Sequence, residues 1–216
     1  MPALLEDPTT TLPAPPAPKS LTPIKTTLKD STPITLYPIT TGPSSLPASL
    51  IHYLHAQFSQ EIADGCTYPM EEAMGFDLYQ NYWFGTFAVV AVVDDEAYPA
   101  GLEEGRDWEK VCLGTFYVKP NYPGRCSHVC NGGFFTTPAA RNRGVGNVMG
   151  RAYLEVAPKL GYKYSVFNLV FANNVASVKI WEKLGFQIIG RVPGAARLAN
   201  SEELVDALII GRSLVE

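Results

Sequence analysis

Hydrophobic positions between residues 46 and 63 recur at helical spacing, with Leu50, Ile51, Leu54, Phe58 and Ile62 falling on one face. Ser44 or Ser45 can cap this helix ahead of Pro47, and Gly65 ends it. A shorter helical region is expected over Thr67–Tyr79. Trp83–Val93, dense in aromatic and β-branched residues, reads as a strand. After a polar excursion over Asp94–Asp107, Lys110–Val118 forms the next strand. Asn121–Arg125 (Asn-Tyr-Pro-Gly-Arg) is a turn by its own chemistry, and the strand Ser127–Thr136 follows it. A helix over 147–160 stops at Gly161. Tyr164–Phe171 is an almost continuous apolar run, as in a strand buried on both faces. Asn174–Leu184 reads as a helix, and Gln187–Val192 and Leu204–Leu214 as the last strands. Strands first, then strand–helix–strand–helix–strand, predict an α/β sheet of mixed direction.

The N-terminal part breaks this pattern. Residues 1–46 hold ten of the eighteen prolines, a composition that suits an extended arm. Disorder is expected to about residue 20, with 1–30 forming the partly disordered arm and 31–216 a single domain. Within Thr32–Tyr37 the alternation fits an edge strand, where proline is tolerated. A net charge of −4 leaves no electrostatic footprint for nucleic acid. No window approaches the roughly 18 apolar residues of a membrane span. Glu6, Asp7 and the absence of arginine from this arm argue against a presequence, and the four cysteines read as reduced thiols. The expected address is cytoplasmic, with a mitochondrial one left open.

Chemistry concentrates in Thr137–Asn147, a basic, glycine-bearing turn between a strand and a helix. Such a turn makes an anion site from backbone N–H groups and the helix dipole, to which Arg141 and Arg143 add full charges. Gly144 and Gly146 allow close backbone approach. A Walker loop would need a lysine after its second glycine, and none is present. A dinucleotide fingerprint would need a third glycine, but Gly144-Val145-Gly146 continues Asn-Val-Met.

Arg141-Asn142-Arg143-Gly144-Val145-Gly146 resembles the acetyl-CoA loop of the GCN5-related N-acetyltransferases. Asn174 to Phe186, with Ala176, Trp181-Glu182-Lys183 and Gly185-Phe186, resembles that superfamily's second motif helix, in order and at the usual separation. Longer blocks narrow the resemblance: Gly114–Tyr122, Arg125–His128, Gly161–Ser165 and Phe167–Phe171 are similar to the fungal N-acetyltransferases that detoxify azetidine-2-carboxylate, a toxic proline analogue. The similarity runs from about Tyr68 to the C-terminus.

The resemblance implies a mixed, mostly antiparallel sheet flanked by helices, the GNAT-like acetyltransferase fold. It implies acetyl-CoA as cosubstrate, no metal, a small cyclic imino acid as acceptor, a homodimer, and a role in oxidative stress tolerance. It implies cofactor contacts from Phe134, Phe135, Thr136, Arg141, Asn142, Arg143, Gly144, Val145, Gly146, Asn174 and Ser177. An N–H near Phe134 or Phe135 would polarise the acetyl carbonyl, and the strand bearing Asn131 would splay from the one bearing Asn168. The family's substrate and catalytic asparagines map to Asn131, Asn168 and Asn174: Asn131 and Asn168 as substrate holders, Asn168 and Asn174 as catalytic. Asn168 interrupts an apolar run, where an unpartnered amide is costly. Asn174 serves equally well as a helix cap. Trp181 stands where many members carry a tyrosine able to protonate the leaving thiolate. No Glu, Asp or His falls at an obvious base position, which favours direct transfer in a ternary complex with deprotonation through water. Acetylation of another small amine or peptide amine, or non-catalytic acyl-CoA binding, are the alternatives.

Cys126-Ser127-His128-Val129-Cys130 carries zinc-like residue types. In an extended strand alternate side chains stand about 7 Å apart, too far to share one metal, so none is expected. Cys130 is a conceivable nucleophile, but it lacks an evident base.

Overall fold

The computed structural model describes residues 21–99 and 101–215. The strands are β1 (Ile24–Thr27), β2 (Pro33–Ile39), β3 (Phe87–Val93), β4 (Cys112–Pro120), β5 (Val129–Thr136), β6 (Tyr164–Phe171), β7 (Gln187–Ala196) and β8 (Val205–Ser213). The helices are α1 (Ala48–Asp64), α2 (Phe76–Phe84), the short α3 (Trp108–Val111), α4 (Val145–Lys159) and α5 (Val175–Lys183). One sheet runs β1-β2-β3-β4-β5-β6-β8-β7, and every neighbouring pair except β5 and β6 is antiparallel.

Strand β3 shows how the sheet is covered on both sides. Phe87, Val89, Ala91 and Val93 pack in one core with residues of α4 and α5, whereas Ala88, Val90 and Val92 pack in the other with α1 and α2. A strand's period of two makes this division, so a strand buried on both faces must be apolar throughout. Helix α1 buries Leu50, Ile51, Leu54, Phe58 and Ile62, the face its spacing predicted.

Several boundaries differ from the sequence reading. Trp83 and Phe84 close α2 rather than opening β3. Tyr79 and Trp83, four apart, both lie fully buried on one helical face, and the helix stops at Gly85. Residues 67–75, expected to be helical, are irregular. Ser44 and Ser45 do not cap α1: Pro47 is its N-cap residue, and the Ser45 hydroxyl donates to the Gly42 carbonyl instead. Strand β7 continues to Ala196 through a register shift beyond Val192, since an edge strand accommodates Pro193. The expected disorder of the first 20 residues falls outside the described residues. Ile24–Thr27, assigned to the arm by composition, is a strand of the sheet paired with β2.

The candidate site lies at β5 and β6, the parallel pair among the described strands. Strands β5 and β6 pair only at Val129–Tyr164 and Cys130–Ser165. Beyond these residues the strands part into a fork. Phe134 and Phe167 face each other across it with ring centroids 5.8 Å apart, and the Trp181 indole of α5 lies 4.7 and 4.6 Å from them.

Candidate active site

The fork opens beside three amides. Asn131 is the first residue of β5 past the paired stretch, and Asn168 lies within the β6 register shift between Phe167 and Val170. Between them stands Asn121, directly after β4, with no exposed surface. Its Oδ1 accepts from Asn131 Nδ2 at 3.0 Å and from Asn168 Nδ2 at 2.6 Å, and its own Nδ2 donates to Asn168 Oδ1 at 3.2 Å. The cluster satisfies the buried amides of Asn121 and Asn131, which would otherwise cost about 1–3 kcal/mol each, and the half-buried one of Asn168. It leaves one N–H on each Nδ2 and the Asn131 Oδ1 without a protein partner among the described residues. From the sequence, Asn121 reads only as a turn residue. Turn chemistry explained its presence, so no separate signal marked it.

Four side chains on the α1/α2 side of the sheet, Tyr68, Tyr82, Tyr117 and Lys119, complete the surroundings. The Tyr68 hydroxyl donates to the Phe134 carbonyl at 2.9 Å, and burial raises its pKa well above the usual phenol value. Tyr117 packs over Gly133, where a Cβ would collide with its ring, and its hydroxyl lies 3.0 Å from that of Tyr82. Lys119 is the register partner of Asn131. Its Nζ sits 3.9 and 4.0 Å from the ring centroids of Tyr82 and Tyr117 and donates to the Tyr82 carbonyl. Desolvation pushes this amine down to about 7. Neither Tyr68 nor Lys119 was singled out from the sequence.

At the other end of β5 lies the basic turn. Thr137 anchors it, its hydroxyl donating to the Cys112 carbonyl at 2.9 Å. Asn142 (φ 64°) and Gly144 (φ 85°) are left-handed, a conformation that asparagine tolerates and glycine adopts freely. Helix α4 begins at Val145, two residues earlier than expected. Among the described residues the N–H groups of Asn142, Arg143, Gly144, Val145 and Gly146 donate to no protein acceptor. Five successive free donors at a helix N-terminus form an anion cradle. The two arginines are tethered by carboxylates: Arg141 to Glu61 of α1, and Arg143 to Asp30 at 3.0 Å, with Thr32 Oγ1 at 2.9 Å. Asp30 is held down at about 2, first by the Thr32 hydroxyl and N–H and then by Arg143. Gly144 and Gly146 serve different ends. A Cβ on Gly144 would meet the Lys29 side chain from 3.2 Å outward, whereas one on Gly146 would meet Ile180 Cδ1 of α5 at 3.0 Å. The second glycine therefore lets α4 approach α5.

Asn174 caps α5, its Oδ1 accepting from the Ser177 N–H at 3.1 Å. The Ser177 hydroxyl in turn accepts from Trp181 Nε1 at 3.1 Å, so the indole is fixed as part of the fork's lining. Phe135 points into the α1/α2 core and Phe134 into the fork, while Thr136 ends the strand. Cys130 lies on the opposite face of β5 from Asn131. Its thiol is 3.1 Å from the Tyr153 hydroxyl, and burial pushes it up to about 11. That argues against a thiolate nucleophile. Cys126 is exposed and Cys112 buried at the far end of β4, so the zinc-like residue types do not converge.

The strand fork thus has an anion cradle at one end and a polar cluster at the other. The model of the Acetyltransferase (GNAT) family matches residues 56–186. The N-acetyltransferase aca1 of Schizosaccharomyces pombe is 45% identical over 152 residues, 69% of this chain and 73% of that protein. A GCN5-related N-acetyltransferase from Kribbella flavida shares the fold, with a TM-score of 0.67 at 24% identity over 82% of this chain and 97% of that one. So does yncA from Salmonella typhimurium, a structure with its cofactor acetyl-CoA (TM-score 0.62, 12% identity, 84% and 95% covered). The chain belongs to the GNAT acetyltransferase family and is an N-acetyltransferase. No helix among the described residues is long and apolar enough to cross a membrane.

Proposed function

We propose that this enzyme transfers the acetyl group of acetyl-CoA to the ring nitrogen of a small cyclic secondary amino acid, such as azetidine-2-carboxylate or cis-4-hydroxyproline. The observation that carries the reading is the Asn121–Asn131–Asn168 cluster where β5 and β6 begin to part. It offers a compact set of neutral donors, with Lys119 and the rings of Tyr82 and Tyr117 on the same side of the sheet.

Acetyl-CoA supplies the acetyl group as a thioester. The free N–H groups from Asn142 to Gly146 fit its pyrophosphate, with Arg141 and Arg143 exchanging carboxylate partners for phosphate. The edge of β5 that β6 leaves unpaired offers backbone groups to the pantetheine amides, and an N–H near Phe134 or Phe135 meets the acetyl oxygen. Asn174 and Ser177 line the α5 side of the donor site. Asn131 and Asn168 hold the acceptor in line with the acetyl carbon, which is the main catalytic contribution of positioning. Water takes one proton from the ring ammonium, and the lone pair this exposes forms the C–N bond; as the C–S bond breaks, the remaining N–H proton of the ring nitrogen also passes to water. The thiolate leaves with the bonding pair and is protonated from water, since Trp181 cannot supply that proton. Transfer is direct, in a ternary complex.

Such a reaction would detoxify proline analogues and support oxidative stress tolerance, in a cytoplasmic homodimer. Thiol release from acetyl-CoA, measured with azetidine-2-carboxylate, cis-4-hydroxyproline, lysine and peptides in parallel, tests the acceptor class. Release with the ring amino acids alone is expected. Release with lysine or peptides instead supports the alternative acceptors, and release with none supports acyl-CoA binding without catalysis.

A further inference from the structure

Lys119 has no anionic partner among the described residues. None of the ion pairs among the described residues includes it. Its ammonium group has two aromatic faces and one backbone carbonyl for company. Cation–π contacts offset part of the cost of taking an ammonium out of water, but they do not neutralise it. The groups around it offer no formal negative charge: Tyr82 from α2, Tyr117 from β4 and Asn131 from β5 are all neutral, and burial raises both phenols. Lys119 as a residue keeps partial exposure.

Its place in the sheet says what that ligand touches. Lys119 and Asn131 are cross-strand partners, so their side chains leave the same face of the sheet. Asn121, two residues further along, shares that face and bridges Asn131 to Asn168. A cyclic amino acid carries its nitrogen and its carboxylate on one carbon. A carboxylate lodged beside Asn131 therefore leaves the nitrogen close to where β5 and β6 part.

We propose that Lys119, caged by Tyr82 and Tyr117 beside Asn131, receives the carboxylate of the acceptor and so restricts the enzyme to amino acid acceptors. This rests on the acetyl-transfer reading of the same fork and adds a charged anchor to its neutral amides. Lys119 is a specificity-determining residue, and the bound carboxylate is the counter-ion its burial lacks.

The test compares amino acids with their decarboxylated amines: azetidine-2-carboxylate with azetidine, proline with pyrrolidine, and alanine with ethylamine. The wild-type enzyme is expected to favour the acid of whichever pair it accepts. Lys119→Met should cut that acid-to-amine ratio of kcat/KM by about 10- to 100-fold, mainly through KM, and Lys119→Arg should retain part of it. In a second measurement needing no variant, cyclopentanecarboxylate should compete with the acceptor and cyclopentanemethanol should not. An unchanged ratio, an equal loss for acids and amines, no turnover of any acid, or equal competition by the alcohol overturns the assignment. Turnover of alanine but not of the ring acids, with the ratio still dependent on Lys119, overturns the ring-substrate reading and leaves the anchor standing. Equal turnover of azetidine and its acid does the reverse.

Discussion

Asn168 Nδ2 donates to Asn121 Oδ1 at 2.6 Å, joining a residue just past β4 to the β6 bulge on the far side of the fork. The two lie 47 positions apart in sequence, and Asn131 of β5 bonds the same oxygen. One carbonyl oxygen thus fixes the orientation of both amides assigned to the acceptor. Asn121→Ala should therefore do two things. Stability should fall by about 1–3 kcal/mol as the buried Asn131 and the half-buried Asn168 lose their partner. The kcat/KM for the acceptor should fall about 10-fold or more, while binding of acetyl-CoA is retained. Thermal unfolding and initial rates check both, and a stability loss with unchanged kcat/KM would make the cluster purely structural.

Lys119 makes stability depend on pH in a predictable direction. Its pKa is about 7 in the folded chain against 10.5 for an ordinary lysine. Between these values the unfolded chain binds more protons, so this residue makes stability rise with pH across about 7 to 10.5. Below pH 7 its full penalty applies. Lys119→Met removes that penalty, so the variant should gain most in Tm over wild type near pH 6 and progressively less towards pH 10. A Tm difference independent of pH would contradict this.

Cys130 should prove chemically silent. With its thiol at about 11 and its side chain turned to Tyr153, Cys130→Ser should keep kcat close to the wild-type value. Intact-mass analysis after mixing with acetyl-CoA alone should show no acetyl-enzyme. A stable acetyl adduct, lost in the variant, would establish a ping-pong route instead.

The exposed outer strand carries the dimer expectation. Strand β7 is an edge whose Ile188, Ile189 and Val192 are 53%, 51% and 43% exposed, on both of its faces. Apolar edges of this kind are normally covered. The wild-type protein should sediment as a dimer, and Ile188→Asp with Val192→Asp should shift it to monomer. A monomeric wild-type protein removes the expectation.

The legible parts of this molecule were the local ones. Helix α1 announced itself through the spacing of Leu50 to Ile62, and the basic turn through Arg141 and its two glycines, because periodicity and turn chemistry act over a few residues. The Trp83–Phe84 boundary was misplaced because aromatic residues suit both a buried helix end and a strand. Other features depend on partners distant in the chain. Arg141 meets Glu61 and Arg143 meets Asp30, 80 and 113 positions away, and no local pattern encodes such pairs. Asn168 was visible as a polar residue in an apolar run, but its partner Asn121 was already accounted for by the turn. Lys119, at a strand end, had every mark of a solvated lysine until the rings of Tyr82 and Tyr117 closed around it.

The most direct test of the acceptor site is the kinetics of Asn168→Ala with azetidine-2-carboxylate, paired with direct measurement of acetyl-CoA affinity. The amide cluster as acceptor holder predicts a fall in kcat/KM of about 10- to 100-fold with acetyl-CoA affinity retained. An unchanged kcat/KM would contradict it and place the acceptor elsewhere in the fork.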